Sequence, residues 1–519
     1  MAKIDIKHSS IVINDYTLGD CPQLENTFSL WDSVRHKKTL RVLHYNEETR
    51  QLFVPRGVDV FFIENLLDAN ARLVKEHDRC DKLPPILLKY LPRDDVQKRA
   101  LAFMLGMKEY TYTKAKSQLS VNLIMGKGKT YCSIAASTMF QLRTAIITTS
   151  VGWLEQWRKC ILEYTDTKPN EICMMVGSGV INRLMANDGY KKYKYILMSH
   201  ATIKSYASAN GWDKITELFK HLKIGVKFYD ECHLGFENMC MIDYYTNTYK
   251  TFYVSGTPAR SDKDEDKLFS YYFKSVPSIS LFDEEQDPHT RYIAIKYNSH
   301  PTALDISNCK NVKGFQKQAY AKYVIDKPNF YKLLNIILDI ALQNGGKNLI
   351  FVARIESIEI IRDWILVNYP YLYNDIGIYH SKVEPSIKEQ QLDKRIILST
   401  VKSLGTAQDI KGLKMTVNLA EPFSSEVLAK QSLYRTRDDN TIYLDCIDIG
   451  FNTISKYYRD KLPVFNKYAL SCSLLNLNDN ELQFKNDIAV TRLLGVMEEP
   501  IIVHEKSELE DIVIIHPKD

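Results

Sequence analysis

Two series of short, apolar, β-branched runs constrain this chain more than any other feature, because each run leads through a polar or glycine-containing turn into a helical pattern. The first series lies at 119–124, 145–149, 195–199, 224–229 and 251–254. The second lies at 348–352, 376–380, 395–399, 416–419 and 441–444. Continuous apolar strands alternating with helices predict parallel sheets covered on both faces; a sheet with one wet face would instead alternate apolar and polar residues. The stretch between the series, roughly 275–330, carries Pro277, Pro288 and Pro301 and no strong strand signal, so two α/β domains are expected in tandem. A long helical pattern then runs from Gly314 through Leu342 and stops at Asn344-Gly345-Gly346, a fitting C-terminal signal. Residues 1–85 read as a separate mixed piece, and beyond about 450 the chain turns helical and ends in a charged tail, HEKSELEDIVIIHPKD.

Bulk properties narrow the class. With 519 residues the chain has room for two or three compact units, and an apolar fraction of 45% excludes a disordered chain. The net charge of +5 is too small to announce a nucleic-acid binder, so any basic groove must come from uneven distribution. Ten scattered cysteines form no CxxC pair and no zinc-spaced Cys/His cluster, which predicts reduced thiols. No apolar run has membrane-spanning length, and MAKIDIKHSSIVIND lacks the apolar core of an export signal. The expectation is a soluble, cytoplasmic protein.

Chemistry enters at VNLIMGKGKT, 121–130. A phosphate-binding loop needs backbone N–H groups converging on an anion at a helix N-terminus, with glycine wherever the backbone must approach closely. Gly126 and Gly128 supply that approach, with Lys127 between them; Lys129 supplies charge and Thr130 a hydroxyl for Mg²⁺. The alternative is a basic surface turn, and Leu123 stands where such loops usually carry Gly or Ala. A second signal, VKFYDECHLGF, places Asp230 and Glu231 at the carboxyl end of a strand, the edge where open α/β sheets bind ligands. There an Asp can hold Mg²⁺ and a neighbouring Glu can orient or deprotonate an attacking water; the alternative is a pair of solvated turn carboxylates.

Taken in order, these segments resemble the superfamily 2 helicases and translocases. Asp230-Glu231-Cys232-His233 looks like their motif II in its DExH form. Ser255-Gly256-Thr257-Pro258 resembles motif III, which joins ATP hydrolysis to nucleic-acid contact. LPRDDVQKRALAFML resembles the segment whose glutamine reads the adenine edge, here Gln97. RIILSTVKSLGTAQD resembles motif V through Thr400, Gly405 and Asp409, with Ala407 in place of a glycine. AKQSLYRTRDD resembles motif VI, with Gln431 and Arg435 in register, Tyr434 at the glycine and Asp438 at the last arginine, for which Arg437 is the substitute. The resemblance covers roughly 90–450, and RQLFVPRGVDVFFIENLL adds a weaker similarity to helicases of large DNA viruses and phages, including branch-migration enzymes.

What the resemblance implies is an α/β fold of two RecA-like lobes flanked by a small N-terminal α+β domain (1–85) and a helical C-terminal extension (456–519). Lobe 1 would span 86–290 and lobe 2 291–455. It implies an ATP- and Mg²⁺-dependent DNA helicase or translocase of viral or phage replication, recombination or transcription, in the host cytoplasm if viral. Lys129, Asp230, Glu231, Arg435 and Arg437 would be catalytic. Gln97, Gly126, Lys127, Gly128, Thr130 and Asp409 would join Lys129 at the nucleotide, and Thr130 and Asp230 would hold the metal. An arginine is needed because hydrolysis spreads negative charge over the γ-phosphoryl oxygens, which a guanidinium binds bidentately. Nucleic-acid contacts, mostly to phosphate and so sequence-independent, would come from Thr149, Ser150, Gln156, Ser199, His200 and Thr202, and from Thr400 and Lys402. His233, Ser255, Gly256, Thr257 and Gln431 would couple hydrolysis to movement. Trp153 and Trp157, four apart on a helix, read as core rather than as base-stacking platforms. The lysines of GYKKYKY read as an exposed approach to a strand rather than a grip on nucleic acid. An RNA-directed motor, a restriction-type motor subunit and a non-catalytic nucleotide-gated binding protein remain open at this stage.

Overall fold

The computed structural model describes residues 3–32, 37–123, 126–256, 263–281, 289–312, 314–404, 410–433, 441–482, 490–491 and 493–494. The chain divides into two compact units, Met1–Glu285 and Gln286–Asp519. None of the described helices is long and apolar enough to cross a membrane.

The first series of apolar runs supplies five strands of one seven-stranded parallel sheet. Its strands are β1 (Gln118–Leu123), β2 (Thr144–Thr148), β3 (Ile172–Met175), β4 (Tyr195–Ser199), β5 (Val226–Asp230), β6 (Lys250–Ser255) and β7 (Ser278–Leu281), in the order β3-β4-β2-β5-β6-β1-β7. The side-chain period of two sorts the strand residues between two cores. Phe228 stacks on Phe252 on one face, with ring centroids 4.7 Å apart, while Tyr229 stacks on Tyr253 on the other at 5.6 Å. Such pairs contribute about 0.5–1.5 kcal/mol each beyond their burial.

The second unit repeats the plan with β8 (Thr290–Tyr297), β9 (Lys347–Val352), β10 (Ile376–Tyr379), β11 (Ile396–Ser399), β12 (Leu413–Ala420), β13 (Thr441–Asp448) and β14 (Ser471–Asn476). Their order is β10-β11-β9-β12-β13-β8-β14, again all parallel. Two tandem RecA-like sheets with an N-terminal α+β region agree with the expected fold class.

Several boundaries differ from the sequence reading. The supposed separator contains both β7 and β8. β7 is an edge strand burying only alternate residues, and β8 is framed by Pro288 and Pro301, so neither reads as a bounded apolar run. The helical pattern from Gly314 breaks into Lys317–Val324 and Pro328–Gln343, because a proline lacks the N–H a helix interior needs but suits a first turn. The boundary at 455/456 falls inside the helix Asn452–Tyr468, whose Phe465 lies in the core of the second unit. β14 then adds a strand where only helix was expected. Residues 495–519 lie outside the described residues.

The N-terminal piece is likewise not separate. Its five-stranded sheet (3–6, 10–14, 44–46, 51–55 and 71–73) shares one apolar core with the face of the first sheet that carries Tyr229 and Tyr253. Gln118 donates to the Ser9 carbonyl at 3.2 Å, Ser117 to the His8 carbonyl at 2.7 Å, and Tyr244 to the Val42 carbonyl. Gly57 packs so tightly that an added Cβ would lie 1.9 Å from the Tyr272 carbonyl oxygen.

At the centre of that shared core sits a fully buried ion pair. Lys227 on β5 donates to Asp243 Oδ1 at 2.5 Å and to Thr246 at 2.6 Å. Asp243 also accepts the hydroxyls of Tyr229 (2.9 Å), Tyr253 (2.5 Å) and Tyr272. Removing one partner strands the other charge, so Asp243→Ala is expected to lower the unfolding free energy by about 3–5 kcal/mol, whereas Lys227→Met/Asp243→Leu recovers only the part due to the stranded lysine, since the three tyrosine hydroxyls still lose their acceptor. Urea unfolding of the two variants followed by circular dichroism checks this; an Asp243→Ala midpoint equal to wild type would contradict it.

Candidate nucleotide-binding site

Strand order decides what meets at the carboxyl edge of the first sheet. β6 lies between β5 and β1, so the segments leaving these three strands are neighbours: the glycine loop, the turn after Asp230, and Ser255-Gly256.

The glycine loop is built around its backbone. Gly126 and Gly128 have φ of +84° and +87°, the left-handed region that favours glycine. Gly128 is the N-cap of the helix α2 (Lys129–Phe140), so Lys129 and Thr130 stand on its first turn with the backbone N–H groups that have no partner inside a helix. Thr130 and Lys127 are half-buried. The preceding helix, α1 (Asp95–Leu105), is capped by Asp94 and buries Gln97 against the loop. Gln97 accepts the Arg93 N–H at 3.0 Å and turns its amide towards the Lys127 carbonyl at 3.4 Å, while the Arg93 guanidinium donates to the Gly126 carbonyl at 2.6 Å. Arg93 is a loop-holding residue that the sequence reading missed; its place four residues before Gln97 was the available signal.

Opposite the loop, Glu231 has a left-handed backbone, φ +49°, that turns the chain sharply out of β5. The turn is pinned where Cys232 N–H donates to the Val254 carbonyl at 3.1 Å and Leu234 N–H to the Glu231 carbonyl at 2.8 Å. The Glu231 carboxylate forms an ion pair with Lys129 through Oε1 and accepts the Gly256 N–H at 3.1 Å through Oε2. His233 Nδ1 lies 2.9 Å from Ser255 Oγ and 3.4 Å from Glu231 Oε2. Burial would push the Glu231 carboxyl up, but Lys129, with His233 and the Gly256 N–H, holds it below the usual carboxylate range. Asp230 goes the other way: burial and the neighbouring Glu231 charge push it up to about 6. Asp230 Oδ2 accepts the Trp157 indole N–H at 2.8 Å.

Thr130 and Asp230 offer a hydroxyl and a carboxylate, hard oxygen donors of the kind Mg²⁺ takes alongside triphosphate oxygens. The donor set therefore fits that ion.

The predicted nucleic-acid residues divide. Thr149 and Gln156 are half-buried and Ser150 is exposed; the Ser150 hydroxyl caps the turn at Gly152 N. Ser199, His200 and Thr202 are buried instead. Ser199 caps the helix His200–Asn210, accepting Thr202 N–H at 3.2 Å, and His200 packs edge-on to Tyr229. A capping role takes these side chains off the surface; exposed Lys204, one turn on, is the cation that this helix presents. In the second unit Thr400 caps the short helix Val401–Leu404 through Ser403 N–H at 3.1 Å. Lys402 and Gln431 lie on helices, Val401–Leu404 and Glu426–Leu433, but their side chains are not among the described ones. Thr257, Gly405, Asp409, Arg435 and Arg437 lie outside the described residues. The GYKKYKY lysines precede β4 and so sit at the opposite edge of the sheet, where Lys191 pairs with Asp188 and Lys194 with Glu171 at 3.0 Å.

Residues 91–260 match the family model described as "Type III restriction enzyme, res subunit". The chain is 22% identical over 363 residues to "Putative helicase 161L" of Invertebrate iridescent virus 6, covering 67% of this chain and 76% of that protein. Among solved structures it is similar to S. cerevisiae Dbp5 bound to RNA and ADP BeF3, with TM-score 0.51 and 13% identity over 78% of this chain and 93% of that one. It also aligns with T4 UvsW at TM-score 0.36 and 13% identity, over 92% of this chain and 99% of that one. The matched segment, the motif order and the tandem sheets together support a helicase/translocase.

The loop geometry gives a direct test. Alanine at the φ of Gly128 costs about 1–2 kcal/mol, and its Cβ would lie 2.3 Å from Gln97 Nε2. Gly128→Ala should weaken binding of a fluorescent ATP analogue by about tenfold or more. Unchanged affinity in Gly128→Ala would contradict this account of the loop.

Proposed function

We propose that this protein is an ATP- and Mg²⁺-dependent DNA helicase or translocase of superfamily 2. The observation that carries the reading is the Lys129–Glu231 ion pair, which brings the charge of a left-handed glycine loop and the carboxylate of a DExH segment to one sheet edge. In this reading Lys129 exchanges its carboxylate partner for a nucleotide phosphate. Glu231, released, faces the phosphate and orients or deprotonates the attacking water, with the Gly256 N–H fixing its second oxygen. Thr130 and Asp230 hold Mg²⁺, which neutralises phosphate charge when bound. Gln97 stands beside the loop where it can also read the base. Ser150, Gln156 and Lys204 contact nucleic-acid phosphates without sequence preference. Arg435 and Arg437 enter through their sequence register as cations for the transferring phosphoryl group.

The choice of DNA rests on the similarity of RQLFVPRGVDVFFIENLL to helicases of large DNA viruses and phages, and the RNA bound to Dbp5 belongs to that protein. The test is ATPase turnover with single-stranded, duplex, forked and four-way DNA and with single-stranded RNA. DNA should stimulate more than RNA. Lys129→Ala should lose nucleotide binding and turnover together, whereas Glu231→Gln should keep binding and lose about 10²–10⁴ in kcat. Wild-type turnover in both variants would remove the assignment, and tight ATP binding by wild type without turnover would favour a nucleotide-gated binding protein.

A further inference from the structure

Trp157 belongs by position to the packing of the first unit, yet its one polar atom is directed at the nucleotide site. It stands on the helix α3 (Leu154–Tyr164), buried in a cluster with Leu154, Ile161, Ile134 and Ile146. From there its Nε1–H reaches Asp230 Oδ2 at 2.8 Å, across to the end of β5. An indole N–H can only donate. It therefore cannot carry protons to or from Asp230; what it can do is fix which way the carboxylate plane faces. The ring itself is held by apolar packing, so the donor is fixed before any ligand arrives.

We propose that Trp157 is a positioning residue for the metal side of the ATP site: it clamps one oxygen of Asp230 and so presents the carboxylate in a single orientation. The inference rests on the reading of Asp230 given above. Groups that orient a metal-side carboxylate change metal affinity on the order of ten- to a hundredfold when removed. Packing residues of the same helix should not. Gln156 stands on α3 beside Trp157, and Ser150 caps the turn Val151–Trp153 that leads into it, so this helix borders both the expected nucleic-acid track and the metal carboxylate.

The test needs no turnover. The affinity of full-length protein for a fluorescent ADP is measured across a Mg²⁺ titration, with EDTA as the zero point. Trp157→Phe keeps the aromatic packing and deletes the N–H; Ile161→Val loosens the same cluster without touching Asp230. The expected result is a Mg²⁺ midpoint raised on the order of tenfold or more in Trp157→Phe, an unchanged midpoint in Ile161→Val, and EDTA affinities equal in all three proteins. A wild-type midpoint in Trp157→Phe, or equal shifts in both variants, overturns the role of Trp157 while leaving the ATP site intact. A wild-type protein whose ADP affinity ignores Mg²⁺ overturns the reading of Asp230 itself.

Discussion

The ion pair between Lys129 and Glu231 is the interaction on which the site's geometry depends. Each partner is placed by backbone rather than by side-chain choice. Lys129 is where it is because Gly126 and Gly128 accept left-handed φ and deliver a helix start at that point. Glu231 is where it is because its own left-handed turn ends β5 abruptly, although an L-residue in that conformation costs about 1–2 kcal/mol. That cost is offset locally: one carboxylate oxygen meets Lys129, the other meets the Gly256 N–H, and the turn is tied to β6 through Cys232 and Val254. A strained residue held by three separate contacts, at the edge where sheets of this type bind ligands, follows the pattern of a functional site.

Physical chemistry also explains what could be read in advance. The ten runs identified from composition all became strands of the two sheets, because a strand covered on both faces must be continuously apolar. The strands that escaped, β3, β7, β8 and β14, are short, at an edge, or framed by prolines, and their signal is diluted accordingly. At the site, the glycines, Lys129, Asp230 and Glu231 were legible because chemistry dictates their types and their place after a strand. Arg93 and the indole of Trp157 were not, since each acts through one contact made by tertiary folding alone. Ser199 and His200 show the ambiguity of such signals: a helix N-terminus attracts the same residue types for capping, which Ser199 does here, as for phosphate contact.

Both units arrive at the same device for locking a parallel sheet against a helix. In the first, Lys227 meets Asp243 amid tyrosine hydroxyls. In the second, Lys461 meets Asp445 at 2.7 Å, with Asn418 at 2.8 Å and Tyr292 at 3.0 Å as further donors to that carboxylate. A buried ion pair adds little net stability against a well-packed apolar alternative, but it penalises any shift in register that would separate its members. For a protein read as a motor this is a sensible allocation. Each lobe's sheet is specified as one rigid arrangement, and change is left to the turns at the strand ends.

Those turns are themselves tied together in the first unit. A methyl group added at Gly235, just past the DExH segment, would lie 2.8 Å from His200 Nδ1 and 3.5 Å from Thr149 Cγ2, so three loops close on one another at that glycine. His200, pushed down to about 4 by burial, stays neutral there at ordinary pH and packs as an uncharged ring. Asp230 is meanwhile tied to α3, and Glu231 to the start of α2 and to Gly256. These contacts tie the glycine loop, the carboxylates and the surface around Ser150 and Gln156 together at one edge. A ligand drawing Lys129 away from Glu231 loosens one of these ties, and the released carboxylate remains bound to Gly256, which follows β6. Any coupling between nucleotide and track within this unit thus has a short physical route, from Glu231 through Gly256 and from Asp230 through Trp157, with no need for the sheet beneath to deform.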